Sequence, residues 1–235
     1  MRVLVTRPIE DAERTAAALR EHGHDAILSP LLEIRFLDGP GISLDGVQAV
    51  LATSANGVRA LARRNQRRDL PAFAVGPQTA LAARAAGFAD VRDAGGNADA
   101  LTETVSRWLD PREGSLLHAS GRHRKDNLAA ALEASGFTVR TEFLYEAVPA
   151  TGLSPDAQAA FGAGELDAVM LFSPRSAATF AAIVQRNGLS SPCRNLVALC
   201  ISRETDAALA PLSFRENRVA KRPNQDSMLD LLGQR

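Results

Sequence analysis

The chain has 235 residues, 46% of them apolar, with 27 basic and 27 acidic side chains and no formal net charge. That length fits one large domain or two smaller ones with proper cores, and the apolar content excludes intrinsic disorder. A balanced charge without a basic tail argues against nucleic acid as the main partner, because phosphate binding needs a clustered positive footprint.

The first unit opens with a strand over 2–6 and the turn Arg7-Pro8. A helix over 10–21 follows, with Ala12, Thr15, Ala16 and Leu19 forming an apolar face at spacings of three and four. Gly23 stops it, a strand runs over 25–29, and after Pro30 an extended segment covers 32–36. Gly and Pro crowd into 38–41, which reads as a linker.

The second unit begins with the apolar strand VQAVLA over 47–52, then turns through Thr53, Ser54, Ala55 and Asn56 into a helix carrying Val58, Leu61 and Ala62. A strand that ends in hydroxyl and amide residues before a helix leaves backbone N–H groups at the helix N-terminus. Such a turn holds an anionic group or caps its own helix. Arg63, Arg64, Arg67 and Arg68 read as the solvated end of that helix. Next come a strand over 72–75, the turn Gly76-Pro77-Gln78-Thr79, a helix over 80–86 closed by Gly87, and a short strand over 90–93. Gly95-Gly96-Asn97 leads into a helix over 99–109 with Leu101, Val105 and Trp108 on one face, and Pro111 ends it.

The third unit repeats the first: a strand over 115–119, the turn Ser120-Gly121-Arg122, a helix over 126–134 closed by Gly136, and a strand over 138–148. The fourth repeats the second. Its strand and helix over 167–180 place Ser173 where Ser54 stands, and its strand over 196–201 precedes Thr205, which answers Thr79. Asn224-Gln225-Asp226 before a helix over 228–232 answers Asn97-Ala98-Asp99.

Strands alternate with helices throughout, so the expected fold class is α/β: two similar lobes, each a parallel sheet flanked by helices, joined by a two-stranded connection with a cleft between. Lobe 1 is expected to comprise 1–35 and 149–235 and lobe 2 to comprise 38–142, with 32–37 and 143–148 as the connecting strands. Cys193 and Cys200 are too far apart for a CxxC motif, lie near an apolar strand and read as buried free thiols. There is no leader pattern, and no apolar stretch reaches the roughly 20 residues of a spanning helix, so a soluble cytoplasmic monomer without a membrane partner is expected.

Ligands of open α/β sheets sit beyond the carboxyl ends of the strands. Here those ends carry Thr6-Arg7, Thr53-Ser54-Asn56, Gly76 and Thr79, Ser120-Gly121, Ser173 and Ser202-Arg203. The turns are small, hydroxyl-rich and full of N–H donors, which suits a ligand with several carboxylates. Tyr145 is the one tyrosine. A strand tyrosine ordinarily packs with its hydroxyl at water, but a place in a connecting strand would let the hydroxyl face the cleft. His118 and His123 flank the turn at Ser120 without a carboxylate cluster, so no metal is expected. GxSxG, GxxxxGK[ST] and GxGxxG are all missing from the sequence, so nucleophilic, P-loop and dinucleotide chemistry lack support.

VLVTRP (3–8), TSANGV (53–58), VGPQTA (75–80), Gly96-Asn97 before a helix, Ser120-Gly121 with basic residues up to 125, LYEAV (144–148) and FSPRSA (172–177) together resemble the uroporphyrinogen-III synthase family over essentially the whole chain. The resemblance implies a cofactor-free lyase of two α/β lobes. Its substrate would be hydroxymethylbilane, a linear tetrapyrrole with eight carboxylates. Loss of the terminal hydroxyl would give an azafulvene, and closure through a spiro intermediate would invert the last ring. Tyr145 matches the family tyrosine held to assist departure of the hydroxyl. Thr53, Ser54, Thr79, Ser120, Gly121 and Ser173 match positions lining the cleft. Transient contact with porphobilinogen deaminase is a further expectation. Where the family carries a Gly-x-x-[TS]-Ala turn in the fourth unit, this chain has Ser202-Arg203-Glu204-Thr205-Asp206. The alternative is a two-lobed binding or sensor protein that closes on a carboxylated ligand without chemistry.

Overall fold

The computed structural model describes residues 1–122 and 127–233. The chain divides into two compact units, Met1–Glu33 with Val148–Arg235, and Ile34–Ala147. The first unit opens with β1 (Arg2–Val5), α1 (Ile9–Glu21) and β2 (Asp25–Leu28). β3 (Leu32–Phe36) enters the second unit, which continues with β4 (Val47–Ala52), α2 (Ala55–Arg64), β5 (Ala72–Ala74), α3 (Pro77–Ala85), β6 (Val91–Asp93), α4 (Ala98–Trp108), β7 (Ser115–Gly121) and α5 (Leu128–Ala134). β8 (Val139–Pro149) returns to the first unit. There follow α6 (Pro155–Gly162), β9 (Ala168–Leu171), α7 (Pro174–Arg186), α8 (Ser190–Cys193), β10 (Val197–Cys200), α9 (Arg203–Ala207), β11 (Glu216–Val219), α10 (Gln225–Asp230) and a closing 3-10 turn, Leu231–Gly233.

The two sheets share one strand order. The first runs β11-β10-β9-β1-β2 and the second β6-β5-β4-β7-β8, with β3 added at the far edge of β8. Within these five-strand cores the pairings are parallel. β3 lies antiparallel to β8, since Leu37 N–H donates to the Leu144 carbonyl and Ala150 N–H to the Leu31 carbonyl, both at 2.9 Å. In each sheet the order turns back beside the first strand of its βα repeat, between β1 and β9 and between β4 and β7. Ligands of such sheets gather at that reversal, outside the carboxyl ends of the strands.

Central strands are buried on both faces, which is why they read as unbroken apolar runs rather than alternating ones. In β1, Leu4 faces a cluster with Val169, Leu171, Phe161 and Phe180, while Val3 and Val5 face Leu19, Met170 and Met228 on the other side. In β4, Val50 and Ala52 meet Val58, Leu61 and Leu117, while Ala49 and Leu51 meet Phe73, Leu101 and Leu116. Period-2 alternation assigns successive residues to opposite faces, so each sheet has a separate core on either side.

Several expectations need amendment. No element is expected from the sequence where α6 forms, although Ser154 caps it and Pro155 occupies its first position. None is expected for β11, sequence ENRV, either. It is a polar edge strand that exists because β10 offers it a ladder. The helix expected over 80–86 starts earlier, at Pro77. Trp108 is 58% exposed, not part of the apolar face, and its ring lies under the Arg92 guanidinium at 3.7 Å. The arginine cluster is not merely solvated: Arg63 stacks on Phe36 at 3.9 Å, Arg64 donates to the Pro40 carbonyl, Arg67 pairs with Asp69, and Arg68 donates to the Ala86 carbonyl. Of the helix expected over 126–134, Leu128–Ala134 is seen as α5. Asp126, His123 and the basic pair Arg124 and Lys125 lie outside the described residues. Among the described residues no helix is long and apolar enough to cross a membrane.

Candidate active site

The reversal point of the second sheet joins the end of β4 to the end of β7. Ser54 leaves β4 in extended backbone and caps α2, its hydroxyl accepting the Gly57 N–H at 3.1 Å. Gly57 is required there because α2 starts directly against β7: a Cβ would fall on the carbonyl oxygen of Ala119. The same hydroxyl lies 2.7 Å from the phenol oxygen of Tyr145, which is only 6% exposed. The two residues are 91 positions apart in the chain.

A bulge brings them together. β8 pairs Phe143 with Ser120 and then Tyr145 with Gly121, so Leu144 is an extra residue on the β8 side. Paired residues of a sheet share a face, and successive residues of β7 alternate faces. Phe143 therefore stands with Ser120 and is 53% exposed, while Tyr145 turns to the face covered by α2. Gly121 leaves room for the ring, since a Cβ there would sit 2.6 Å from the ring carbon that bears the hydroxyl and 2.9 Å from the hydroxyl itself. The Arg122 N–H donates to the Tyr145 carbonyl at 2.9 Å, and the Arg122 guanidinium lies 3.8 Å from the Glu146 carboxylate.

The other predicted residues of this unit have separate surroundings. Thr53 is buried, its hydroxyl 3.3 Å from Nε2 of the buried His118, so it faces into the sheet. Ser120 is buried, with a marginal 3.5 Å contact from its hydroxyl to the Gly121 carbonyl. The Asn56 side-chain oxygen accepts from Arg59 at 2.7 Å, one turn along α2. Gly76 caps α3 in extended backbone with Pro77 at its first position, and Thr79 is buried in that first turn.

In the first unit, the buried Thr6 donates to the Met170 carbonyl at 2.7 Å and so ties β1 to β9. Arg7 reaches Gln225 Oε1 at 3.1 Å, Thr15 Oγ1 at 3.4 Å and Asp11 at 3.5 Å, with its guanidinium 4.4 Å above Phe172. Ser173 caps α7, accepting the Ser176 N–H at 3.1 Å and meeting the Ser176 hydroxyl at 2.9 Å. Ser202 caps α9 in the same way, with the Thr205 N–H at 3.3 Å and the Thr205 hydroxyl at 3.2 Å. These two caps find their hydroxyl partner three residues on. At Ser54 that position is Gly57, and the partner is Tyr145 instead.

At the altered fourth turn, the Ser202 hydroxyl and the backbone N–H of Glu204 hold the Glu204 carboxyl below the usual carboxylate range. The chain thus places its own carboxylate at a helix start that is expected from the sequence to face ligand. Cys193 and Cys200 are buried free thiols, pushed by burial to about 11 and about 12. Among the described residues no three His, Cys, Asp or Glu side chains are grouped to hold a metal. A depression of about 580 Å³ between β2 and α6, beside the Arg2–Glu165 ion pair, contains none of the predicted residues. Sequence reasoning missed the Ser54–Tyr145 contact itself. Its only local trace is glycine at 57 and 121, where the backbone or the ring approaches.

The family model described as uroporphyrinogen-III synthase HemD matches residues 13–230. Among solved structures, the uroporphyrinogen-III synthetase of Helicobacter pylori is similar with TM-score 0.64 at 18% identity, over 99% of this chain and 98% of that one. A mutant uroporphyrinogen III synthase of the extremely thermophilic bacterium Thermus thermophilus is similar with TM-score 0.52 at 19% identity, over 99% and 97%. At such identities these likenesses speak for the fold. The curated proteins gave no match.

Proposed function

The chain belongs to the uroporphyrinogen-III synthase family, and we infer from that membership that it cyclises hydroxymethylbilane to uroporphyrinogen III. It is a cyclising lyase of porphyrin and haem biosynthesis. The observation that carries this reading is the family match over 13–230, and it favours the enzyme over a sensor without chemistry.

Tyr145 is the proposed acid. A phenol keeps its proton at neutral pH and can give it to a leaving hydroxyl held within hydrogen-bond reach. The C–O bond of the terminal hydroxymethyl group breaks, water leaves, and the pyrrole nitrogen's electrons stabilise the azafulvene cation. Attack by the last ring at its substituted carbon gives the spiro intermediate, whose rearrangement inverts that ring. The proton lost when the inverted pyrrole ring regains its aromaticity restores the phenol. Closure without inversion needs no enzyme, so the protein's task is to hold the linear chain in the geometry of the spiro route. Positioning of this kind can remove several kcal/mol of barrier.

The turns at Ser54, Gly76–Thr79 and Ser173 are proposed to take substrate carboxylates through the first N–H groups of α2, α3 and α7, a binding mode that needs no strongly basic protein. Thr53, Asn56, Ser120, Gly121, Thr6 and Arg7 shape or brace those turns. A cytoplasmic monomer that receives its substrate from porphobilinogen deaminase, in transient contact with it, completes the proposal.

A coupled assay tests the reading. Deaminase generates hydroxymethylbilane, this protein is added, and the oxidised products are separated as isomers I and III. Isomer III in excess is the expected result; isomer I alone, from folded protein, would end the synthase reading. Tyr145→Phe should lower turnover more than binding, and equal turnover would remove Tyr145 from its role.

A further inference from the structure

We propose that Ser54 is the positioning residue that leaves the Tyr145 proton free for transfer: its hydroxyl donates to the phenol oxygen rather than accepting from it. The proposal rests on the synthase reading for its catalytic consequence. The hydrogen-bond direction itself rests only on geometry.

A serine hydroxyl has one proton and two lone pairs. At Ser54 one lone pair is engaged by the Gly57 N–H at 3.1 Å. The phenol oxygen lies 2.7 Å away and either atom could donate. Were Tyr145 the donor, two N–H and O–H protons would converge on one oxygen at the positive end of α2, and Ser54's own proton would need another acceptor. With Ser54 as donor, Gly57 N–H, Ser54 O–H and the Tyr145 oxygen form a chain polarised in one direction, each bond strengthening the next. The partial positive charge of a helix N-terminus, about +0.5 of a unit charge, points along that chain toward the phenol. The phenol is left holding a proton it has not committed to the protein. As that proton passes to the departing hydroxyl, negative charge grows on an oxygen already facing the Ser54 proton.

A second cap favours this direction. Ser173 is a cap of the same kind: it accepts from the Ser176 N–H at 3.1 Å, and because the one Ser176 hydroxyl proton goes to the Ser173 carbonyl at 2.9 Å, the Ser173 hydroxyl donates to the Ser176 oxygen. The Tyr145 ring is buried in the space that Gly121 leaves, which keeps its phenol oxygen beside Ser54.

The chain's single tyrosine makes the direction directly readable, because the tyrosine Fermi doublet in a Raman spectrum reports whether a phenol oxygen accepts or donates. Substrate-free protein should show the acceptor pattern. Ser54→Thr keeps both the cap and the donor and should keep that pattern. Ser54→Asp keeps a good cap but, ionised, can only accept, so the doublet should change to the donor pattern. Its single-turnover rate at saturating substrate should fall on the order of 100-fold, while its urea midpoint stays near that of the parent. Ser54→Ala should lose both features. A donor pattern in the parent, or an unchanged doublet in Ser54→Asp, overturns the proposal. Absence of isomer III with the parent would instead overturn the synthase reading and leave the spectra to decide the hydrogen bond.

Discussion

Gly121→Ala puts the packing of Tyr145 to the test. The backbone of Gly121 needs no left-handed conformation, so the substitution acts through space alone. The added methyl would lie 2.6 and 2.9 Å from ring carbons of Tyr145. Restoring ordinary carbon contacts of ~3.5–4.0 Å requires the ring to retreat by about 1 Å. The Ser54–Tyr145 separation, 2.7 Å in the parent, would then exceed roughly 3.5 Å, outside hydrogen-bond reach. Overpacking a core site costs ~1–3 kcal/mol, and the lost hydrogen bond adds about 1 kcal/mol. At about 2–4 °C per kcal/mol for a chain of this size, Tm should fall by about 5–15 °C. Displacing a reacting group by about 1 Å can cost 100-fold in rate, so isomer III formation should drop by about that factor. Calorimetry and the coupled assay, run on the same preparation, measure both. A Gly121→Ala protein that melts within about 2 °C of the parent and forms isomer III as fast would refute the account of how the tyrosine is held.

Ser173→Ala removes the cap of α7 and should lower stability by about 1 kcal/mol, read as a shift of the urea midpoint at constant slope. The buried thiols of Cys193 and Cys200 should be silent to an aromatic disulfide reagent in native protein, and both should react after unfolding. Their folded pKa values, raised to about 11 and about 12, lie above the ordinary thiol value. The folded state therefore binds more protons in alkaline solution, and this contribution to stability, full below the ordinary thiol value, is lost as pH rises through the folded values. Midpoints measured across that alkaline window should decline, and in Cys200→Ala the decline should be shallower.

Much of the fold is legible locally. The apolar runs of β1, β4, β9 and β10 mark strands buried on both faces, and the serine and asparagine caps at Ser54, Asn97, Ser173 and Asn224 stand where hydroxyl or amide residues precede apolar periodicity. The internal repeat predicts two similar sheets, and their shared strand order answers it. These features depend on properties each segment carries by itself: side-chain period, backbone freedom and cap chemistry. Trp108 shows where that reading stops. Helical spacing places it beside Val105, but the last turn of α4 leaves the ring outside, under Arg92.

What the tertiary structure alone decided involves partners far apart in the chain. β11 has no apolar pattern and is a strand only because β10 presents an open ladder beside it. The arginines in the last turn of α2 and just beyond it look like a solvated charge run until carbonyls, Asp69 and the Phe36 ring come within reach. The Ser54–Tyr145 pair depends on a bulge in β8, on the absence of side chains at Gly57 and Gly121, and on parallel pairing of β7 with both β4 and β8. A hydroxyl in sequence shows what it can donate or accept. Only the packing of distant segments supplies the partner, because hydrogen-bond direction and reach are settled within a few tenths of an ångström that no local pattern encodes.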